Sequence, residues 1–373
     1  MDLSRHPALA EKTGDAAMTW APRFVLVCAG LALLTGCAAA DPLGPAVTRS
    51  PHTAPSLDPV APVLAGANVD MPDPAAAVIP PPETSVSDSD PARTPVPASP
   101  ADGVAELVVW IPAGDHRVPG TLRLPPQPSP TPLPVVLLLH GDLSNRNENG
   151  DLFTRQAADL AARGVASLRI DFAGSGDAEE TDLQLNYPGM VADATAAVDY
   201  LRSDPLLDPT RVAVLGLSRG GSIAATLAGT VPGVAALVEW SGAVYNGYDE
   251  APDLHDQARA DGYVTLGSDP GGFRLSLSWF DTIEQAHPLD DVTGYTGPVL
   301  AVTGGADEVV PPEVSDVLIQ TVASTDTTRY VVQDADHEFD ATSDDQSHAE
   351  EALGITTDWV VAKIGTPSPP RSG

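Results

Sequence analysis

Cysteine is almost absent from this chain, which contains only Cys28 and Cys37. Both lie near the amino terminus, so no pair of thiols is left in the rest of the sequence to form a bridge or bind a metal. The sequence also lacks an H-E-x-x-H motif and the paired Cys/His spacing that holds zinc. We therefore predict a protein with no disulfide framework, no metal site and no cofactor.

Basic residues are also scarce. The chain has 19 Lys and Arg residues against 51 Asp and Glu residues, which gives a formal net charge of −32. A protein that follows a nucleic acid backbone needs a positively charged surface, so this composition excludes nucleic acid as a partner. A strongly acidic surface mainly keeps a protein soluble.

The apolar run near the amino terminus, Phe24–Leu34, is too short to span a bilayer. Because Arg23 precedes it, the run is typical of the apolar core of a secretory signal peptide. The end of the run and the three residues after it, Leu34-Thr35-Gly36-Cys37, resemble the bacterial lipobox, whose cysteine is lipidated and becomes the first residue of the mature chain.

We expect a lipoprotein signal peptide over residues 1–36 and a lipid on Cys37. That lipid would hold the protein on the extracytoplasmic face of the cell membrane. An ordinary signal peptide with a chance cysteine is the alternative, and Met18 is an alternative start, because the residues before it add nothing to a signal peptide.

Aromatic residues are missing from residues 38–101, which are rich in Pro, Ala, Ser, Thr and Asp. Such a segment cannot bury enough surface to offset its chain entropy. We predict a disordered linker over residues 37–103 that acts as a spacer, with peptidoglycan binding as the alternative. The short tail at residues 366–373 is also predicted to be disordered.

Residues 104–365 alternate between apolar strand-like runs and helix-like stretches, which predicts one α/β domain with a doubly wound, mostly parallel sheet. Glu106–Ile111 and Val118–Leu124 are predicted to form an antiparallel opening hairpin. The predicted helices are Leu152–Arg163, Gly189–Ser203, Ser218–Gly229, Glu313–Val322 and Ser347–Lys363.

Residues 244–297 interrupt this alternation and are predicted to form a small cap insertion. The insertion concentrates aromatic side chains: Tyr245, Tyr248, Tyr263, Phe273, Trp279 and Phe280. These rings are typical of an apolar substrate wall, and they are equally consistent with packing of the insertion onto the body.

A G-x-S-x-G motif, Gly216–Gly220, lies between the apolar strand Arg211–Leu215 and an Ala-rich helix. In this strand–turn–helix context the motif predicts that Ser218 is a nucleophile on a sharp turn. Small flanking residues allow the strand and the helix to approach closely.

Serine needs a general base and a carboxylate that orients the base, in the chain order Ser, acid, His. Asp307 follows the apolar strand Pro298–Thr303, and His337 follows the strand Arg329–Gln333. Because the carboxyl ends of parallel strands share one edge of a sheet, we predict that Ser218, Asp307 and His337 form a catalytic triad.

The oxyanion hole is expected from backbone amides. The apolar run Val135–Leu139 ends in His140-Gly141-Asp142, which positions the amide of Asp142 near the nucleophile turn. The second donor is predicted to be the amide of Arg219, directly after Ser218.

These motifs resemble the α/β-hydrolase superfamily, and most closely its small feruloyl (cinnamoyl) esterase-like branch, of which the dienelactone hydrolases are a sister branch. The resemblance is carried by His140-Gly141 with the following loop, Arg169–Asp177, the elbow at Ser218, and the two loops that bear Asp307 and His337. Dienelactone hydrolases have cysteine as nucleophile, which Ser218 argues against. The chain departs from its relatives at Leu217 and Arg219, which flank the serine and affect substrate preference.

The expected activity is hydrolysis of a small-molecule carboxylic ester through an acyl-enzyme on Ser218. A peptidase or amidase of the same fold is the alternative, although the absence of a recognisable propeller or large lid disfavours the oligopeptidase type. A non-catalytic binding lipoprotein is an alternative from another class, and the complete set of Ser, Asp and His argues against it.

Overall fold

The computed structural model describes residues 93–95, 106–127, 129–247, 251–266 and 272–365. The strands of the main sheet are β1 (Arg93–Pro95), β2 (Glu106–Ala113), β3 (His116–Arg123), β4 (Leu133–Leu139), β5 (Ala166–Ile170), β6 (Leu207–Leu217), β7 (Ala236–Trp240), β10 (Val299–Gly304) and β11 (Thr327–Val332). A separate hairpin consists of β8 (Tyr263–Leu266) and β9 (Phe273–Ser276). The helices are α1 (Leu152–Ala162), α2 (Tyr187–Ser203), α3 (Arg219–Thr230), α4 (Pro252–Asp261), α5 (Leu277–Glu284), α6 (Pro288–Val292), α7 (Glu313–Thr321) and α8 (Ser347–Ile364).

The main sheet has the order β1-β2-β3-β5-β4-β6-β7-β10-β11. Strands β1, β2, β3 and β5 pair antiparallel in turn, and every pairing from β5 to β11 is parallel. The chain order reverses around β4, since β5 lies on one side of it and β6 on the other. The carboxyl ends of the parallel strands therefore share one edge, where α/β sheets bind their ligands.

Two apolar layers hold the sheet. In β4, Val135, Leu137 and Leu139 face one layer, while Val136 and Leu138 face the other, and all five are fully buried. Helices α2, α3 and α7 cover the first face, and α1 and α8 cover the second. A strand buried on both faces must be apolar throughout, which explains the unbroken run in the sequence.

The five predicted helices of the alternating domain are confirmed, with bounds that differ by one or two residues at most. The predicted opening hairpin is also confirmed, as β2 pairs antiparallel with β3. The α/β fold with a mostly parallel sheet is confirmed as well.

The amino-terminal border of the domain differs from the prediction. Residues Arg93–Pro95, which the sequence assigns to the linker, form an edge strand whose Thr94 lies opposite Val108 of β2. Pairing at an edge needs backbone groups and no apolar pattern, so hydrophobic periodicity does not reveal it. The predicted signal peptide, Cys37, the rest of the linker and the tail at residues 366–373 lie outside the described residues.

The insertion at residues 244–297 contains more regular structure than its sequence suggests: helices α4, α5 and α6 and the β8–β9 hairpin. Its helix α4 is strongly polar and buries only His255 and Ala258. Within the described residues, no helix has the length and apolar character needed to cross a membrane.

Candidate active site

Ser218 occupies the turn between β6 and α3, with φ 53° and ψ −118°. A positive φ is unfavourable for a residue with a side chain and persists only where the surrounding structure enforces it. Here the Ser218 amide donates to the Trp240 carbonyl at 2.9 Å, and the Ser218 carbonyl accepts from the Ala243 amide at 2.9 Å. The end of β7 thus holds the turn on both sides.

Trp240 connects this turn to the core. Its indole is fully buried, contacts Phe153 and Phe339 at ring distances of 5.8 and 5.7 Å, and donates to the Thr356 hydroxyl at 2.9 Å. Because the same residue accepts the Ser218 amide, the packing of α1 and α8 against the sheet supports the position of the serine.

The glycines of the motif are required by close approach. A Cβ atom on Gly216 would lie 2.0 Å from the Gly220 carbonyl oxygen, and one on Gly220 would lie 1.9 Å from the Leu139 carbonyl oxygen. Both neighbours are backbone atoms that cannot move aside. A Cβ on Gly141 would lie 3.3 Å from the Ser218 Cβ, so the loop after β4 runs directly beside the serine.

Asp307 and His337 meet at the ends of β10 and β11, two parallel neighbours in the sheet. His337 Nδ1 lies 2.8 Å from Asp307 Oδ2, while Asp307 Oδ1 accepts the amides of Val309 and Val310, each at 2.8 Å. The Asp307 side chain is fully buried and that of His337 is 13% exposed. A buried carboxylate that accepts two amides in this way has a fixed orientation toward the imidazole.

The two loops are also joined through their backbones. The Ala306 amide donates to the Ala335 carbonyl at 2.8 Å, and Gly304 packs against the carbonyl of Asp336. The structure therefore brings Asp307 and His337 together at the sheet edge at which β6 delivers Ser218, with β7 between β6 and β10.

His140 orients the loop that follows β4. Its Nδ1 lies 2.7 Å from the Gly141 carbonyl oxygen, and its Nε2 accepts the Phe172 amide at 3.1 Å. These partners assign the proton to Nδ1, and burial lowers the pKa of the imidazole, so the ring stays neutral. Because the Gly141 carbonyl and the Asp142 amide belong to one peptide unit, the histidine fixes the direction of that amide.

Asp142 and Arg219, the two residues whose amides are predicted to form the oxyanion hole, are connected by their side chains. Arg219 Nε donates to Asp142 Oδ2 at 3.2 Å, and the Arg219 side chain is almost fully buried. Its guanidinium carbon lies 5.9 Å from the centre of the Trp279 ring in α5. The guanidinium of Arg219 is therefore engaged by Asp142 and Trp279 inside the protein.

Asp171 supports the loop after β4 and lies outside the predicted triad. Its buried carboxylate accepts the backbone amides of Arg146 and Asp177, and it also pairs with the Arg146 guanidinium. Asp171 therefore anchors this loop.

Among the described residues, two buried acids beside the site loops escape the sequence-based prediction. Glu239 lies inside β7, where burial, together with the nearby charge of Asp307, raises the pKa of its carboxyl to about 8. It accepts a hydrogen bond from Ser315 at 3.3 Å. A charged residue in an otherwise apolar strand is the signal that could have identified it. Glu148 lies in the polar loop after β4, and nothing in the local pattern distinguishes it from its neighbours.

The aromatic residues of the cap are predicted either to line an apolar substrate wall or to pack the insertion onto the body, and the structure shows different surroundings for different rings. Trp279 and Phe280 are buried and pack edge to face at 4.8 Å, and Phe280 stacks on His255 at 5.2 Å. Tyr263 is exposed, and Tyr248 lies outside the described residues. Packing therefore accounts for Phe280, while Trp279 reaches Arg219 beside the nucleophile turn.

His255, Asp281 and Glu284 of the cap are close enough to be metal ligands. However, Arg259 Nη2 lies 3.1 Å from His255 Nδ1, and His255 Nε2 lies 2.9 Å from Asp281. The Arg259 guanidinium thus contacts the group where a metal ion would bind, and the hydrogen bond between His255 and Asp281 joins α4 to α5.

Comparison with known proteins connects this geometry to a family. The model of the prolyl oligopeptidase family (peptidase S9) matches residues 152–366, more than half of the chain. An uncharacterised protein of Mycobacterium tuberculosis is 28% identical over 199 residues, which cover 53% of this chain and 60% of the relative. Human acyl-coenzyme A thioesterase 1 is 33% identical over 132 residues, 35% of this chain and 28% of the thioesterase.

Among solved structures, that of Est1E from Butyrivibrio proteoclasticus with bound ferulic acid aligns with a TM-score of 0.56 at 21% identity. The alignment covers 69% of this chain and all of Est1E, and it supports the α/β-hydrolase fold. The chain spans 60% or less of the length of the curated relatives named above.

The family match extends from α1 to α8 and includes the strands between them. The chain belongs to the prolyl oligopeptidase family and is a hydrolase of the α/β-hydrolase fold.

Proposed function

We propose that this protein hydrolyses carboxylic esters through an acyl-enzyme on Ser218, with His337 as general base and Asp307 as its orienting acid. The observation that carries the proposal is the 2.8 Å contact between His337 Nδ1 and Asp307 Oδ2 at the sheet edge shared with the strained Ser218 turn. A nucleophile, a base and an orienting group are the minimum set for acyl transfer by serine.

The chemistry follows from these groups. His337 Nε2 takes the proton of Ser218 as its oxygen attacks the ester carbonyl. The amides of Asp142 and Arg219 donate to the oxyanion that forms. His337 then gives its proton to the leaving alcohol, and the acyl-enzyme is hydrolysed by water that the same histidine activates. Asp307 keeps the proton on Nδ1 throughout and stabilises the imidazolium.

Peptides or other amides are the second candidate substrate class, and the match to a peptidase family favours it. The similar proteins differ in the acyl groups that their names mention: one is an acyl-coenzyme A thioesterase, and Est1E was solved with bound ferulic acid. They therefore do not single out one acyl group for this protein. A purely binding role is disfavoured because the chain is a member of a hydrolase family.

A matched substrate series tests the choice between ester and amide. We expect purified protein to hydrolyse p-nitrophenyl esters of graded chain length and methyl ferulate, and to cleave the corresponding anilides and peptide p-nitroanilides at least about 100-fold more slowly in kcat/KM. An amide leaving group is poorer and needs protonation, which is the physical reason for the gap. Faster turnover of the p-nitroanilides would contradict the esterase proposal and support the peptidase.

We also propose that Cys37 carries a lipid that anchors the enzyme outside the cytoplasmic membrane. The lipobox-like sequence Leu34–Cys37 after the short apolar run supports this. In a bacterial host fed an alkyne fatty acid, the full chain should incorporate the label and fractionate with membranes. Cys37→Ala should abolish the label, whereas Cys28→Ala, the matched control, should retain it. Label that survives Cys37→Ala would refute the anchor.

A further inference from the structure

Gly141, the residue before the predicted oxyanion donor Asp142, is held on both of its peptide groups by buried side chains. Its carbonyl lies 2.7 Å from His140 Nδ1. Its amide donates to Glu148 Oε2, also at 2.7 Å. Glu148 is 5% exposed, and its second oxygen accepts the Asn149 amide at 3.3 Å. The carboxyl therefore connects the start of the loop after β4 to its end.

The segment that carries Glu148 also contacts the loop that bears His337. Asn149 Nδ2 donates to Glu338 Oε1 at 2.6 Å, one residue after the histidine. A Cβ atom on Gly150 would lie 2.2 Å from the Ala341 carbonyl oxygen. Glu148 itself has φ 62°, an unfavourable conformation that needs support from its surroundings. One short segment thus touches both loops of the site.

We propose that Glu148 is a positioning residue whose ionised carboxylate clamps the Gly141 amide and thereby aims the neighbouring Asp142 amide at the reacting oxygen. The inference rests on the proposed role of Ser218 and adds to it a second ionisable group that controls the rate. Glu148 does not touch the substrate; it acts through the peptide that does.

The charges around Glu148 make its ionisation sensitive to pH. Burial raises the pKa of its carboxyl to about 7, and the negative charge of Glu338 in the histidine loop adds to this effect. The cation of its own loop, Arg146, is directed at Asp171 and Asp177 instead. On the strand side, the neighbouring His140 is held neutral by burial. No cation among these neighbours holds the carboxylate in its ionised form.

The direction of the effect follows from hydrogen bonding. An ionised carboxylate accepts both amides with charge-assisted bonds, whereas a protonated carboxyl keeps one oxygen as a donor and holds the loop more weakly. The clamp is therefore half formed at a pH of about 7, complete well above that value and lost well below it. Protonation of His337 also slows the reaction in acid, so the two effects must be separated.

A comparison of two proteins in the phosphonylation of Ser218 by an alkyl fluorophosphonate separates the two effects. This reaction needs the same serine, histidine and oxyanion hole but no particular substrate. The rate is measured for the full chain and for Glu148→Gln, which removes the ionisation at nearly constant size. At about pH 8.5 we expect the maximal labelling rate of Glu148→Gln to be about 10-fold lower, with the inhibitor affinity within about 2-fold. At about pH 5.5 the two rates should converge, since Glu148 is then protonated.

The ratio of the two rates cancels the contribution of His337, which both proteins share. Each rate is divided by the folded fraction measured at the same pH, because removal of a buried titratable group makes stability depend on pH. A constant ratio of the corrected rates, or a ratio near one throughout, overturns the proposal. Glu179→Gln is the matched control, because Glu179 is exposed and pairs only with Arg117 among the described contacts. Failure of the unmodified chain to label at Ser218 would overturn both this inference and the proposed function, whereas labelling with a constant ratio would overturn this inference alone.

Discussion

Replacement of Ser218 by alanine is expected to lower kcat on p-nitrophenyl esters by about four to six orders of magnitude, because no other group can form the acyl-enzyme. KM and the melting temperature should change little, since alanine keeps the Cβ atom and the backbone bonds to Trp240 and Ala243 that hold the turn. Steady-state kinetics with calorimetry on the same sample measure both quantities.

Ser203→Ala is the matched control for this variant. Ser203 lies at the end of α2, and among the described residues its hydroxyl donates only to the Tyr200 carbonyl of its own helix. Its kcat should stay within about 2-fold of the unmodified protein, as expected for an exposed site away from the chemistry. A Ser218→Ala protein that retains more than a few per cent of the activity would show that another residue is the nucleophile.

The second large effect is expected for Asp307→Asn, which should reduce kcat by about 10⁴-fold. The reason lies in the fixed surroundings of the carboxylate. Because Oδ1 accepts the amides of Val309 and Val310, an asparagine must keep its oxygen there and turn its NH₂ group toward His337. The imidazole then accepts at Nδ1 and carries its proton on Nε2, where it cannot act as a base.

Two observations distinguish the loss of activity in Asp307→Asn from a folding defect: the similar shape of the two side chains and a matched control variant. Asparagine has the same shape as aspartate, so the protein should remain folded, with near-unchanged KM. Asp358→Asn, an exposed carboxylate paired with Arg163, should show the unmodified rate. A loss of less than about 10-fold for Asp307→Asn would mean that the histidine tautomer is set by another group, and Glu239, the other buried acid near Asp307, would be the first to examine.

The sequence predicts the sheet and the site-bearing loops because both depend on local patterns. Continuous apolar runs such as that of β4 can exist only where both faces of a strand are covered. The glycines around Ser218 are required because backbone atoms lie less than about 3 Å from the place where a Cβ atom would stand, so the sequence motif and its geometry reflect one steric constraint. The order of Asp307 and His337 after their strands then follows from the parallel topology.

The residues that support the site could not be found in this way. Glu148 becomes important only because its loop folds back onto Gly141, over a path that no periodicity encodes. The Asp142–Arg219 ion pair joins residues far apart in the sequence. The sequence motifs predict a role for the backbone amides of these residues and contain no information on the contact between their side chains. Helix α4 is not predicted from the sequence because its polar residues form no apolar stripe.

The most direct test of the central claim is the identification of the residue that a fluorophosphonate modifies. The unmodified protein is incubated with the reagent, digested and analysed by mass spectrometry. We expect a single phosphonyl adduct on the peptide that contains Gly216–Gly220, located at Ser218, and no adduct in Ser218→Ala. An adduct on a different residue, or none on folded protein, would contradict the claim.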